Sequence, residues 1–252
     1  MNFYDYALLA FVGVGAGFIN VLAGGGSLLT VPALVFMDVP GPVANGTNRI
    51  AIIAQAGTAM FAFFKRGYHN IRLSLTLAAA LMPGAAIGAY LGTDLDGVWF
   101  NRLLAAVMLA VMIIMLLEPK NKSAPSAELV PASRNRMIVV HLLIGAIGFY
   151  GGLIHIGIGF LIMPILHRVA RLDLIEVNMH KMAIILPYSV LALWIFANET
   201  GVLWVAGIAL AIGNSIGGWL GVHFAVKKGE KLIKLVFNLS LLALIIKLLF
   251  FE

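Results

Sequence analysis

Residues 13 to 92 and residues 145 to 221 are two imperfect copies of one apolar segment, which narrows the fold to a duplicated bundle. Pro32 aligns with Pro164, and the same offset sets Asn48-Arg49-Ile50-Ala51 on His180-Lys181-Met182-Ala183 without a gap. After a small gap Gly67 meets Gly201, and the run from Gly84 to Gly92 meets the run from Gly213 to Gly221. A period of about half the chain is too long for a solenoid and suits a duplicated membrane bundle.

The chain has 252 residues, 62% of them hydrophobic and 11% charged, with a mean hydropathy of +1.01. Soluble domains hold about 45 to 50% apolar residues, so lipid is the expected solvent for most of this chain. A helix that crosses a bilayer needs roughly 20 apolar residues. Such runs lie near residues 5–22, 43–64, 72–93, 100–117, 137–155, 174–197, 202–226 and 231–250. Shorter pieces, 27–38 and 159–170, follow the first and the fifth. None of these runs alternates strictly between apolar and polar positions, which disfavours a β-barrel. The N-terminus carries no basic region and no small-residue cleavage pattern, so the first run is expected to remain in the mature chain.

The net charge of +6 is read locally. Basic residues gather at Lys65, Arg66 and Arg72, at Lys120, Lys122, Arg134 and Arg136, at His167, Arg168 and Arg171, and at Lys227, Lys228, Lys231 and Lys234. If each short piece returns to the side it came from, all four clusters fall on one face. The positive-inside rule makes that face cytoplasmic and puts both termini outside, with no need for a nucleic-acid partner. Each half then crosses an odd net number of times, so the second half is inserted upside down. The expected fold class is an all-α integral membrane protein of two inverted-topology homologous repeats. Each repeat is a re-entrant or broken helical hairpin plus three transmembrane helices. Residues 1–118 form the first repeat, 119–136 a Pro- and Ser-containing cytoplasmic linker, and 137–252 the second repeat. Hairpins are favoured over full crossings because a piece of about 12 residues spans only about 18 Å of helix.

Non-helical backbone at membrane depth needs protein or a watery cavity around it, so the tips at Gly24-Gly25-Gly26 and Gly157-Ile158-Gly159 predict a central polar site. A half-helix starting at each tip, near Ser27 and near Phe160, turns the positive end of its dipole inward, which suits an anion. The simpler reading is that these glycines only permit a sharp turn. Arg49 and Lys181 hold matched places, beside Asn48 and His180. A basic residue in a membrane segment costs roughly 2.5 to 3.5 kcal/mol on insertion scales and usually faces a cavity. Against an anion at about 4 Å and an effective dielectric of about 20, each cation contributes roughly 4 kcal/mol before desolvation. The blander alternative has both snorkel to headgroups, or pair Arg49 with Asp38 and Lys181 with Glu176 or Asp173. The candidate substrate-binding set is Arg49, Lys181, Asn48, His180, Thr47, Asn20, Gly25, Gly26, Ser27, Gly157 and Gly159, with Gln55 and Asn178 as further hydrogen-bonding candidates. His155, at the second tip, is either a proton relay or structural.

The small-xxx-small spacing of Gly84, Gly88 and Gly92, and of Gly213, Gly217 and Gly221, points to close helix packing and leaves room for a homodimer. Gly213-Asn214-Ser215-Ile216-Gly217 has the form of a nucleophile elbow, but it lies in a lipid-length helix without acid and histidine partners. Gly13-Val14-Gly15-Ala16-Gly17 follows no strand and is no dinucleotide loop. No metalloprotease, phosphate-loop or calcium-loop pattern occurs, and there is no cysteine. The expectation is therefore a non-enzyme without cofactor or metal; carriage of a metal cation calls for acidic core residues, where this chain has basic ones.

Gly17-Phe18-Ile19-Asn20, Ala23-Gly24-Gly25-Gly26-Ser27 with Pro32, Ala44-Asn45-Gly46-Thr47-Asn48-Arg49, and the stretch from Gly221 to Lys231 together resemble the TauE/SafE sulfite exporter family. The resemblance covers nearly the whole chain, though the second tip is poorer in glycine. It implies a multi-pass transporter of two homologous halves in the bacterial cytoplasmic membrane that moves sulfite, sulfonates or related small anions, and rocking of the bundles is expected to expose the site alternately to the two sides. The remaining alternatives are a permease for another small solute and an assembly subunit that transports nothing.

Overall fold

The computed structural model describes residues 1–117, apart from 69 and 96, and residues 133–225, with only the backbone of 111–117. The apolar run at 231–250, most of the 119–136 linker and the Lys227 to Lys234 cluster lie outside the described residues. Within them the chain is helical, with no strand.

Helix α1 (Phe3–Ala23) starts at a capping box, where the Asn2 side chain accepts from the Asp5 N–H and the Asp5 carboxylate accepts from the Asn2 N–H. It stops at Gly24, whose φ of 85° ends a helix cheaply only in glycine. The chain then folds back against α1, and a Cβ at Gly26 would overlap the Ala16 carbonyl. Helix α2 (Ser27–Val35) runs nine residues, about 14 Å. Pro40 and Pro42 open α3 (Gly41–Phe64). The Asn70 side chain caps α4 (Ile71–Thr93), and α5 (Gly97–Leu117) follows.

Helix α6 (Arg134–Leu153) ends before His155, whose φ is 60°, and α7 (Ile158–Pro164) begins after Gly157 at φ 69°. Pro164 brings no N–H to the ladder, and the chain widens there into a π turn, Ile165–Val169. The Asp173 carboxylate accepts from the Ile175 and Glu176 N–H groups to cap α8 (Leu174–Glu199), and α9 (Trp204–Ala225) completes the described chain. The pieces expected at 27–38 and 159–170 are thus shorter as α-helices, because turns follow Val35 and a π turn follows Pro164.

Among the described residues five helices, α1, α4, α6, α8 and α9, are long and apolar enough to cross a membrane. The run at 43–64 differs from expectation: α3 has the length, but Asn45, Thr47, Asn48, Arg49 and Gln55 lower its apolarity, and all five are buried by neighbouring helices. Outward-facing positions are apolar instead, as at Phe11, Leu142 and Trp194, each more than 60% exposed, the surface expected of a chain dissolved in lipid.

Helix α1 lies along α9 and α4 along α6, while α3 packs on α8 and α9 and α8 on α4. Glycine makes the first two contacts possible. A Cβ at Gly13 would sit 2.7 Å from the Leu210 carbonyl oxygen, and one at Gly213 or Gly217 would strike the carbonyl of Ala10 or Val14. In the other seam a Cβ at Gly84 would sit 2.7 Å from the Gly145 carbonyl oxygen, and one at Gly88 would strike the Phe149 carbonyl more closely still. Both small-residue faces are consumed inside the chain, so they are not the room for a second copy that their spacing suggests.

Candidate functional site

The two breaks meet. The Gly159 N–H donates to the Gly24 carbonyl at 3.2 Å, and a side chain on either glycine would overlap the other's backbone. Gly25, Gly26, Ser27 and Gly157 are buried around this contact.

A helix that stops inside protein leaves its last four carbonyls without intrahelical partners, and each needs another donor. At the end of α6 every one is accounted for. The Ile154 N–H donates to Tyr150 O at 3.1 Å, and Arg49 Nη2 donates to Gly151 O at 2.8 Å and Gly152 O at 2.9 Å. Asn45 Nδ2 donates to Leu153 O at 2.9 Å. Asn45 and Arg49 stand one turn apart on α3, so one face of that helix closes the break in α6.

Lys181 does the same for α1 from α8. Its Nζ donates to Asn20 O at 2.9 Å, Val21 O at 3.0 Å and Asn178 Oδ1 at 2.7 Å. Those three oxygens use all three hydrogens of the ammonium. Arg49 and Lys181 are both fully buried, and among the described residues neither has a carboxylate partner. Snorkelling to headgroups and pairing with Asp38, Asp173 or Glu176 are both excluded by this placement; Asp173 caps α8 instead. The matched cations are therefore tied to the ends of the broken helices, each to the one in the other half of the sequence.

They differ in what remains open. A guanidinium has five N–H donors; the two on Nη2 are taken, so Nε and Nη1 hold the other three, and neither atom has a partner at hydrogen-bond geometry, although the Tyr188 hydroxyl interacts with the guanidinium. The Tyr188 and Phe196 ring centres lie 5.7 Å and 5.9 Å from the guanidinium carbon. The Tyr188 hydroxyl is engaged with His155 Nδ1, and the Tyr150 hydroxyl donates to Ile156 O, which pins the second tip. Asn45 Oδ1 is likewise buried and unpartnered.

Asn48 and Asn20 serve the first tip. Asn48 Nδ2 donates to Ser27 Oγ at 3.1 Å, and its Oδ1 accepts from Thr30 Oγ1 at 2.6 Å. Asn20 Nδ2 donates to Gln55 Oε1 at 2.9 Å, while Asn20 Oδ1 accepts from the Gly26 N–H at 3.4 Å. Two expected residues point elsewhere. Thr47 Oγ1 accepts from the Leu203 N–H at 3.0 Å and holds the start of α9. His180 Nδ1 lies 2.8 Å from Ser74 Oγ on α4, with Nε2 unpartnered. At the second tip the Ile158, Gly159 and Phe160 N–H groups are taken by His155 O, Gly24 O and Gly157 O. Asn45, Tyr188 and Phe196 are the residues that sequence reasoning missed. Only Asn45 left a signal, its place four residues before Arg49 on one helix face.

Residues 9–248 match the family described as sulfite exporter TauE/SafE. The chain belongs to this family. A TauE/SafE relative from a Sinorhizobium species, named probable membrane transporter protein ORF9, is 30% identical over 97% of this chain and 93% of its own. Relatives named probable membrane transporter proteins in Haemophilus influenzae and, as YunE, in Bacillus subtilis are 27% and 26% identical, covering 90% and 94% of this chain and 88% and 95% of theirs. No solved structure matches the chain. As a TauE/SafE member with five helices among its described residues fit to cross a bilayer, it is a multi-pass membrane protein of a transporter family.

Proposed function

We propose that this protein exports small anions, sulfite or organosulfonates, across the bacterial cytoplasmic membrane by alternating access. The observation that carries the reading is the buried Arg49 guanidinium with unpaired Nε and Nη1 beside the meeting point of two broken helices. Unpaired N–H groups on a buried cation are costly unless an acceptor arrives, and an oxyanion is the matching acceptor. Lys181, its donors saturated, adds charge and holds the first tip, while Asn20, Asn48, Ser27, Gly25, Gly26, Gly157 and Gly159 shape the site's walls. The family match and the relatives' names support transport.

The reciprocal packing of α1 on α9 and α4 on α6 supports the inverted repeat with boundaries at 1–118 and 137–252, related by a pseudo-two-fold axis. The basic loops and the linker then face the cytoplasm, and the termini face outside. With an inside-negative potential, outward movement of one negative charge gains about 2.3 kcal/mol per 100 mV, so uniport suffices.

The test is flux of sulfite and of a small alkylsulfonate from proteoliposomes under an imposed potential, for wild type and Arg49→Gln. Flux lost in a variant that keeps its wild-type unfolding temperature supports the reading. Wild-type flux of neither solute, or full flux in the variant, sinks it.

A further inference from the structure

Beside the open N–H groups of Arg49 lies an acceptor that an oxyanion alone cannot satisfy. Asn45 Oδ1 is fully buried with no partner, and its identity as the oxygen is fixed because the other amide atom donates to Leu153 O at 2.9 Å. Reversing the amide would set oxygen against oxygen. Asn45 and Arg49 project from one face of α3 onto the consecutive carbonyls of Leu153, Gly152 and Gly151, so the spare acceptor and the spare donors share one end of α6. Lys181 has no donor left, which leaves the charge of one cation for direct pairing. A bare dianion there would meet one open cation and a carbonyl oxygen that repels it.

We infer that the site selects a singly charged anion that also carries a hydrogen-bond donor, held by Arg49 through its oxyanion and by Asn45 Oδ1 through its O–H or N–H. Hydrogensulfite and hydroxylated sulfonates have this chemistry; the sulfite dianion and plain alkylsulfonates lack the donor. The Tyr188 and Phe196 rings beside the guanidinium suit the short carbon chain of a sulfonate. Asn45 is then the specificity-determining residue. This deepens the anion-export reading and rests on it.

The experiment compares ethanesulfonate with 2-hydroxyethanesulfonate, monoanions that differ by one hydroxyl, in calorimetric binding to the purified full chain. Filling a buried empty acceptor makes the hydroxylated probe bind about tenfold more tightly in wild type. Asn45→Ala is expected to abolish that preference, so that the ratio of the two affinities falls to about one. Equal binding of the two probes to wild type overturns the donor selection, and the anion site survives if Arg49→Gln removes both. Should neither probe bind wild type, the selection and the anion site fall together. The wild-type comparison decides the matter even if Asn45→Ala fails to fold.

Discussion

If Arg49 binds the anion as proposed, Arg49→Lys separates holding the fold from holding the anion. A lysine at this place reaches the carbonyls, because Lys181 at the matched place already does so at 2.9 Å and 3.0 Å. Two of the ammonium's three hydrogens would serve Gly151 O and Gly152 O, which leaves one for a ligand where arginine has three. The fold keeps its charge and its cap and loses mainly the stacking of Tyr188 and Phe196 on the guanidinium, about 0.5 to 1 kcal/mol per ring. The anion loses one charge-assisted hydrogen bond or more, at about 1.5 to 3 kcal/mol each. The concentration for half-maximal flux should therefore rise about 10- to 100-fold, at 1.4 kcal/mol per factor of ten. Proteoliposome flux against substrate concentration, with thermal unfolding in detergent alongside, reads both quantities. Unchanged half-saturation in a folded variant means that the open N–H groups do not meet the anion. Loss of folding means that a lysine at 49 does not reach Gly151 and Gly152.

Gly217→Ala drives a Cβ into the Val14 carbonyl and is expected to lower stability by about 1 to 3 kcal/mol, whereas Gly15→Ala, with nothing within 4 Å of the new atom, should raise it by about 0.4 to 1. Unfolding in detergent measures both, and effects of the same sign would contradict the seam. Asn48→Ala removes the contacts to Ser27 and Thr30, so amide hydrogen exchange in the first turn of α2 should speed up about tenfold, for roughly 1.4 kcal/mol of lost local stability. Exchange unchanged there would show that α2 is held in place without Asn48.

The broken helices were legible because Gly24-Gly25-Gly26 and Gly157-Ile158-Gly159 interrupt apolar runs that local composition otherwise continues. Their short followers were overestimated, since apolar composition does not register that Asp38 turns left-handed at φ 61° or that the helix widens after Pro164. Alignment of the halves found Arg49 and Lys181 as a pair. Their partners stayed hidden because backbone carbonyls have no side-chain signature; Gly151, Gly152, Asn20 and Val21 accept through atoms that every residue possesses. The burial of α3 was hidden for a related reason. Its polar face reads as a poor membrane segment until the helices that enclose it are known.

Those hidden partners constrain how such a protein can move. Carbonyls buried inside the bundle cannot turn to water, and each one left unpaired costs several kcal/mol. The donors for Gly151, Gly152 and Leu153 come from α3, and those for Asn20 and Val21 from α8. Rocking the two sequence halves apart as rigid bodies would strip both sets together, at a cost above the 2.3 kcal/mol per 100 mV that one exported charge supplies. Alternating access, as proposed, is cheaper if the rigid bodies cut across the duplication, so that α3 travels with the end of α6 and α8 with the end of α1. The glycine seams also cross the duplication, because α1 with α9 and α4 with α6 are joined by backbone contacts too close to slide without separating, while α3 on α9 and α8 on α4 are the packed faces that such a motion has to open. The substrate then competes only for the N–H groups of Arg49 that no carbonyl uses, and the cap stays closed while the anion comes and goes.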